Sequence, residues 1–251
     1  MPTTVEKARL YDRHRLPYAP QAVNDLLGYV GPVHLVADIG AGTGQLAQLF
    51  ADRGDRLYAI EPDNNMRQVA VSALADRPSV QVCAGSAEQT TLTDNSVDLI
   101  VVGNAFHRFT SEACDELRRI LKPGGWIALF IYTLTNRALS DALLADFSAL
   151  RSVTDQMEES WHCLPLQSLF GDTTLHTLRY RQSRRDDWTT FFGMACGRLE
   201  SPTPDDKDFA QFEAAHRTAF ESFAVNGLIE IEYETLVTFG QPLVQPTVFA
   251  N

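Results

Sequence analysis

The stretch "VADIGAGTGQ", Val36 to Gln45, begins as an apolar run, reaches an acid and then breaks into three glycines. Such a run followed by glycine-rich sequence predicts a buried strand, a tight turn and a helix. Glycine suits the turn because the backbone must approach a ligand closely with no Cβ in the way. The first N–H groups of the helix point at the same place and carry a partial positive charge. The stretch therefore predicts a ligand-binding loop at the end of a first strand.

The spacing of the glycines indicates which ligand this loop holds. The dinucleotide fingerprint is G-x-G-x-x-G, whereas Gly40, Gly42 and Gly44 give G-x-G-x-G. Asp38 precedes the glycines by two residues, where an acid would repel a pyrophosphate but suits a sulfonium and an α-ammonium group. Glu61 ends the next apolar run and offers a carboxylate to the hydroxyls of a ribose, which both kinds of cofactor carry. The loop thus favours S-adenosylmethionine over NAD.

The rest of the chain alternates short apolar runs with amphipathic stretches, which is typical of β-α units with a parallel sheet. Strands are predicted at 33–39, 56–62, 80–88, 97–106, 126–132, 175–182 and 228–240, and helices at 44–54, 64–77, 111–122, 138–150, 186–196 and 205–224. Ser111 is the predicted N-cap of its helix, and Pro123-Gly124-Gly125 is predicted to stop it. The predicted fold is α/β, a doubly wound, Rossmann-like, seven-stranded and mostly parallel sheet with a small cap in the C-terminal half.

These elements predict a single domain with four parts. A helical lead-in spans 1–32, a cofactor-binding core 33–134, a substrate cap 135–188, and C-terminal helices with a final strand 189–251. The stretch Arg151 to Gly171 has no clear period and is assigned to the cap.

The composition excludes several classes of partner. A formal net charge of −11 argues against nucleic acid, since phosphate binding needs a concentrated basic surface. The local basic run is interpreted as a solvated strand edge and turn; it contains Arg179, Arg181, Arg184 and Arg185. No apolar run approaches the length of a membrane helix. Four scattered cysteines favour free thiols in a reducing compartment over disulfides or a metal site, so we expect a cytoplasmic protein. We also expect a monomer or a homodimer.

Four blocks match a known family in order: "VADIGAGTGQL", "AIEPDNNM", "GSAEQTTLTDNSVDLIVVGNAFHRF" and "ELRRILKPGGWIALF". Together they resemble the class I S-adenosylmethionine-dependent methyltransferases, in the group that includes the ubiquinone/menaquinone C-methyltransferases and the trans-aconitate methyltransferases. The resemblance covers Val33 to Tyr132 and is specific for cofactor and fold, much less so for substrate. Upstream, "YDRHRLPYAP" is similar to the lead-in of this group, so Tyr11, Arg15 and Tyr18 either close over the cofactor or merely pack on the sheet.

The resemblance implies a set of cofactor-binding residues: Tyr11, Arg15, Asp38, Gly40, Ala41, Gly42, Glu61, Pro62, Met66, Ser86, Ala87, Glu88, Asn104 and Ala105. In this likeness Asp38 and the glycines line the methionine end, Glu61 binds the ribose hydroxyls and residues 86–88 flank the adenine. Many relatives carry an acid in place of Ser86, so the adenine contact is expected to be weaker here.

The implied reaction is transfer of a methyl group to a small-molecule acceptor, a carboxylate, a hydroxyl or an activated carbon. A carboxylate acceptor needs no base, whereas a phenol, an ammonium or a carbon acid must lose a proton. His107 follows the fourth predicted strand and is the candidate base; the alternative is that it only packs beside the cofactor. Two other functions stay open, an NAD-dependent oxidoreductase and a non-catalytic S-adenosylmethionine-binding regulatory protein.

Overall fold

The computed structural model describes residues 3–145 and 165–242. The strands are β1 (Leu35–Ile39), β2 (Arg56–Glu61), β3 (Val80–Ala84), β4 (Val97–Gly103), β5 (Leu121–Leu134), β6 (His176–Asp186) and β7 (Ile229–Gly240). The helices are α1 (Val5–His14), α2 (Pro20–Val30), α3 (Gln45–Phe50), α4 (Asn64–Ala73), α5 (Ser111–Ile120), α6 (Arg137–Ala145), α7 (Pro165–Phe170), α8 (Trp188–Cys196) and α9 (Phe209–Phe223). A short 3-10 turn, Phe106–Arg108, follows β4.

The strands form one seven-stranded sheet in the order β3-β2-β1-β4-β5-β7-β6. Neighbours from β3 through β5 pair in parallel, while β7 runs antiparallel to β5 and to β6. The strand order reverses between β1 and β4, and in such sheets ligands bind at the carboxyl ends of the strands beside that point. The predicted doubly wound, mostly parallel sheet of seven strands is confirmed, and the glycine loop lies at its switch point.

Helices cover the sheet on both faces, which is why the central strands are almost continuous apolar runs. One face packs against α2, α3 and α4 through Leu26, Phe50 and Ala70. The other face packs against α5 and α7 through Leu117 and Phe170. Asp38 shares a face of β1 with Val36, so its carboxyl group points toward the α2 and α3 side.

The lead-in is fastened to the sheet and to the C-terminal helices. The Arg184 guanidinium donates to the backbone carbonyls of His14 at 2.8 Å and Arg15 at 2.9 Å, which fixes the turn between α1 and α2. A Cβ on Gly193 of α8 would lie 2.6 Å from the His14 ring, so α1 and α8 pack very closely. At its start, the Thr3 N–H donates to Asp63 at 3.0 Å. The lead-in therefore lies across the carboxyl ends of the strands.

The basic run lies on β6, the edge strand of the sheet, and Arg179, Arg181 and Arg185 are exposed there as interpreted from the sequence. The interpretation is wrong for Arg184, which is half-buried and bonds to the lead-in and to Asp186. The register of β6 places Arg181 opposite Glu234 and Arg185 opposite Glu230 on β7. Opposite charges across a strand pair stabilise the pairing, and Arg179 also contacts Glu234 at 2.8 Å. In α8, Phe191 is buried in a core cluster with Phe220 and Tyr233.

Several predicted bounds are wrong in detail. The cap of α5 is Thr110 rather than Ser111, because the Thr110 hydroxyl accepts from the Ala113 N–H at 3.3 Å. The same helix ends at Ile120, before the Pro-Gly-Gly stop, because Leu121 already pairs with Val97 as the start of β5. The third helix ends at Phe50 rather than at residue 54, since Ala51 leaves helical backbone geometry.

Other expectations concern ligands and membranes. Within residues 3–145 and 165–242, no three His, Cys, Asp or Glu side chains are grouped to hold a metal ion. In the same ranges no helix has the length and apolar character that crossing a membrane requires. Cys163, and most of the stretch 151–171 assigned to the cap, lie outside the described residues.

Candidate active site

The three glycines of the loop all have left-handed backbone, with φ of 72° at Gly40, 59° at Gly42 and 86° at Gly44. Their surroundings differ. A Cβ on Gly40 would lie 2.7 Å from the Ala105 Cβ, and one on Gly44 would lie 2.8 Å from the Leu74 side chain. A Cβ on Gly42 would meet nothing within 4 Å. Gly40 and Gly44 are therefore fixed by packing, while Gly42 faces open space where a ligand can lie.

Asp38 lies beneath this loop and is completely buried. Among the described residues, no donor makes a hydrogen bond of normal length and angle to either carboxyl oxygen, and the Ala47 N–H acts on the group without reaching that geometry. Burial raises the pKa of Asp38 to about 7, against the opposing effects of the Ala47 N–H and the charge of Arg15. A buried polar group without a partner costs about 1–3 kcal/mol, more when charged, so this carboxyl group has a large unmet capacity for a cationic donor.

Arg15 places a second charge in the same interior. It is buried, and its guanidinium carbon lies 4.7 Å from the ring centroid of Tyr11, 5.3 Å from Tyr18 and 5.7 Å from Tyr132. Its Nη2 donates to the Tyr18 hydroxyl at 3.0 Å, while its Nε has no partner among the described residues. Burial raises the pKa of Tyr11 to about 12, so this phenol stays neutral beside the arginine. The cation therefore retains a free donor that an anionic group can use.

Glu61 occupies the carboxyl end of β2, next to the glycine loop. Its Oε2 accepts from the Gly42 N–H at 2.8 Å and its Oε1 from the Asp63 N–H at 2.8 Å. The side chain is buried, and that burial raises the pKa of Glu61. Each oxygen has a second lone pair, so the carboxylate is held in place with acceptor capacity for two hydroxyl groups.

The remaining predicted residues lie around the same edge. Pro62 is exposed and Met66 is buried at the start of α4. Ser86 and Gln89 exchange backbone hydrogen bonds at 3.1 and 3.2 Å, which closes a turn around the buried Ala87. Glu88 is exposed and its carboxylate lies 3.5 Å from the Thr110 hydroxyl.

Asn104 holds an uncommon backbone conformation directly after β4. Its φ is 52°, in the left-handed region where asparagine is among the few tolerated side chains. Its N–H donates to Phe130 at 2.9 Å and its side-chain oxygen accepts from the Tyr132 N–H at 3.4 Å. This geometry turns the chain so that Ala105 meets Gly40, which closes the floor between the two loops.

His107 lies in the 3-10 turn that follows. Burial, with the neighbouring Arg108, lowers the pKa of His107 to about 4, so the imidazole is neutral at pH 7. Its Nε2 is 3.2 Å from the Arg108 Nε, which donates to it. An imidazole whose Nε2 already accepts from a guanidinium is a weak proton acceptor, so the geometry favours packing over the base role for His107.

The structure thus brings Asp38, Arg15, Glu61 and Gly42 to one edge of the sheet, together with Ala105. Tyr132 was not predicted, although its place at the end of the apolar run 126–132 is a signal that could have found it. Arg108 was also missed, and so was its partner Glu200, which contacts it from 92 residues away in sequence and leaves no local signal.

Comparison with known proteins places this site in context. The family of methyltransferase domains matches residues 37–129, which include the glycine loop, Glu61 and the floor loop after β4. An uncharacterised methyltransferase of Mycobacterium tuberculosis is 37% identical over 128 residues, 51% of this chain and 51% of that protein. A ubiquinone/menaquinone biosynthesis C-methyltransferase of Cupriavidus necator is 31% identical over 119 residues, 45% of this chain and 49% of that protein. The chain spans about half the length of the curated relatives it matches.

Solved structures share the fold over most of the chain. The YcgJ protein of Bacillus subtilis covers 90% of this chain and 100% of its own, with a TM-score of 0.55 and 18% identity. A phosphoethanolamine N-methyltransferase of Haemonchus contortus, solved with phosphomonomethylethanolamine and S-adenosylhomocysteine, covers 96% of this chain and 58% of its own, with a TM-score of 0.55 and 14% identity. At these identities the likeness shows the fold alone.

Proposed function

We propose that this chain transfers a methyl group from S-adenosylmethionine to a small-molecule acceptor, and the match of residues 37–129 to the methyltransferase domain family supports this. The observation that carries the proposal is the buried, unpartnered carboxyl group of Asp38 beside a buried arginine. A zwitterionic amino-acid group offers an ammonium for the first and a carboxylate for the second. This is the methionine end of the proposed cofactor.

The other residues fit the remaining parts of the same molecule. The Glu61 carboxylate would hold the two ribose hydroxyls, and the turn around Ala87 would flank the adenine. Open space above Gly42 allows the backbone to approach the ligand. A dinucleotide fits less well, since its pyrophosphate would lie on the Asp38 side of the loop and meet a like charge.

The chemistry divides between cofactor and protein. S-adenosylmethionine supplies a methyl group that is already activated as a sulfonium. The residues of this chain would bind it and align the acceptor, and such alignment can contribute about 7–11 kcal/mol. A base is dispensable for an acceptor that is anionic at neutral pH, which agrees with the low pKa of His107.

Calorimetric titration tests the proposal, with S-adenosylmethionine, S-adenosylhomocysteine and NADH as ligands. We expect micromolar binding of the two sulfur ligands and none of NADH, and loss of that binding in Gly42→Val. Gly227→Val is the matched control, because Gly227 has a φ of 76° and also meets nothing within 4 Å, but lies in the turn before β7. Binding of NADH, or sulfur-ligand binding that Gly42→Val leaves intact, would contradict the proposal.

The proposed surroundings are a cytoplasmic location, a monomer or homodimer, and no nucleic-acid partner. The scattered cysteines support the first of these and the net charge of −11 supports the last. Gel filtration distinguishes monomer from homodimer, and an electrophoretic shift with duplex DNA would contradict the last point.

A further inference from the structure

Arg108 follows the floor loop at the carboxyl end of β4 and reaches a carboxylate of its own chain. Its Nη2 lies 2.5 Å from the Glu200 Oε1, and the two side chains keep 47% and 39% of their surface exposed. Glu200 lies in the loop between α8 and α9, beyond the residues that match the family. This ion pair therefore joins the floor of the proposed site to a part of the chain outside the cofactor-binding core.

Glu200 is held on the arginine by contacts on both sides of it. The Lys7 ammonium of α1 donates to the backbone carbonyls of Leu199 at 2.8 Å and Ser201 at 2.6 Å. Ser201 is buried, and its hydroxyl donates to the Ala195 carbonyl at 2.6 Å. Because both neighbours of Glu200 are anchored, its carboxylate is presented to Arg108 on a fixed loop.

Arg108 is one of three charged side chains near the Tyr11 hydroxyl. The charges of Arg15, Arg108 and Glu200 all act on the Tyr11 hydroxyl, so the two arginines lie near one phenol. In a chain with a net charge of −11, two guanidinium groups near one phenol are a local concentration of cationic side chains. Among the described residues, Glu200 is the acid that forms an ion pair with Arg108.

We propose that Arg108 anchors a carboxylate subsite for the methyl acceptor, and that Glu200 occupies this subsite until the acceptor's carboxylate displaces it; this rests on the proposed methyl transfer. The guanidinium fork is suited to a carboxylate and can bind both of its oxygens. Exposed ion pairs are weak, so a free carboxylate displaces Glu200 at little cost. The acceptor is then a small organic acid, and Arg108 is a specificity-determining residue beside the cofactor.

The test compares acids with their uncharged amides. Sodium benzoate, phenylacetate and glutarate, each beside its amide, are titrated into the protein saturated with S-adenosylhomocysteine and followed by ligand-observed NMR. The variants are Arg108→Gln, Arg108→Lys and Glu200→Gln. The matched control is Arg118→Gln, which breaks the Arg118–Asp115 pair on α5 and removes the same charge. Thermal unfolding of each variant shows that it is folded.

We expect acids to bind and amides not to bind. Glu200→Gln should tighten acid binding about two- to fivefold, the range in which exposed ion pairs contribute. Arg108→Gln should weaken it at least about tenfold, Arg108→Lys should retain part of it, and Arg118→Gln should leave it unchanged. Equal binding of acids and amides, no acid binding even in Glu200→Gln, or no effect of Arg108→Gln would overturn the proposal. Binding of S-adenosylhomocysteine, measured separately by calorimetry, shows whether the proposed function itself has failed.

Discussion

Replacing Asp38 by asparagine should make the ligand-free protein more stable at high pH. The folded pKa of Asp38 is raised from 3.8 to about 7, and a difference of this size corresponds to about 4 kcal/mol between the two protonation states. The sign follows from linkage. A carboxyl group whose pKa is raised on folding destabilises the native state when ionised, so the penalty is absent below about pH 4 and grows until about pH 7. Asparagine resembles the neutral acid and never acquires this penalty.

The assay is urea unfolding of the wild type and Asp38→Asn at pH 4, 5.5 and 8. The other titrating groups are common to both proteins, so the difference between the two free energies of unfolding isolates Asp38. It should shift by about 4 kcal/mol in favour of the variant from pH 4 to pH 8. A difference that is constant with pH would refute the reasoning, since it would mean that Asp38 is not held in an apolar, unpartnered site.

The same substitution should have the opposite effect on the ligand. A hydrogen bond between charged groups contributes about 1.5–3 kcal/mol, so Asp38→Asn should weaken S-adenosylhomocysteine binding by roughly ten- to a hundredfold at pH 8. A variant that is more stable and binds less tightly is the expected signature of a residue kept for its ligand. Unchanged affinity would show that the α-ammonium group is held elsewhere.

Three further substitutions separate packing from function. Gly44→Ala should cost about 2–4 kcal/mol of unfolding free energy in a urea titration, because the backbone is left-handed and the Leu74 side chain lies 2.8 Å from the new Cβ; a cost below that of Gly42→Ala would contradict this. His107→Gln should keep turnover within about threefold once an acceptor is found, whereas loss of a general base costs about 10²–10⁴-fold. Arg184→Gln breaks the ion pair with the buried Asp186 and should lower the free energy of unfolding by about 3–5 kcal/mol. Because Arg184 also binds the carbonyls of the turn between α1 and α2, amide hydrogen exchange in that turn should become faster. Unchanged exchange there would show that other contacts hold the turn.

The elements that the sequence predicted best are those whose signal is local. The switch-point loop combines a buried strand, left-handed glycines and an acid within ten residues, so its geometry follows from neighbours in sequence. The end of α5 shows the limit of local reasoning. Pro123 marks a helix stop, yet the helix ends three residues earlier because Leu121 pairs with Val97 on another strand. Thr110 and Ser111 both carry a capping hydroxyl, and only the packed geometry selects the first.

The candidate site divides in the same way. Asp38 and Glu61 were predicted because each ends or nearly ends an apolar run, where a carboxylate is uncommon. Arg108 and Glu200 were not, since a contact across 92 residues depends on how α1 and α8 pack, and a single sequence does not encode that packing in any local pattern. The residues proposed to hold the cofactor can thus be predicted from the sequence, whereas those proposed to hold the acceptor are found only in the tertiary structure.

The three glycines of the loop differ in what a side chain at each position would meet. A Cβ on Gly40 would clash with Ala105 of the floor loop, and a Cβ on Gly44 would clash with Leu74, which directly follows α4. Neither end of the loop therefore accommodates a side chain. A Cβ on Gly42, between these two glycines, would meet nothing within 4 Å, and the Gly42 N–H donates to the Glu61 carboxylate. A left-handed glycine in open space does not by itself indicate a ligand, because Gly227 has the same two features in the turn before β7. What distinguishes this loop is the buried carboxyl group of Asp38, whose oxygens have no partner among the described residues and which a cationic ligand group would satisfy.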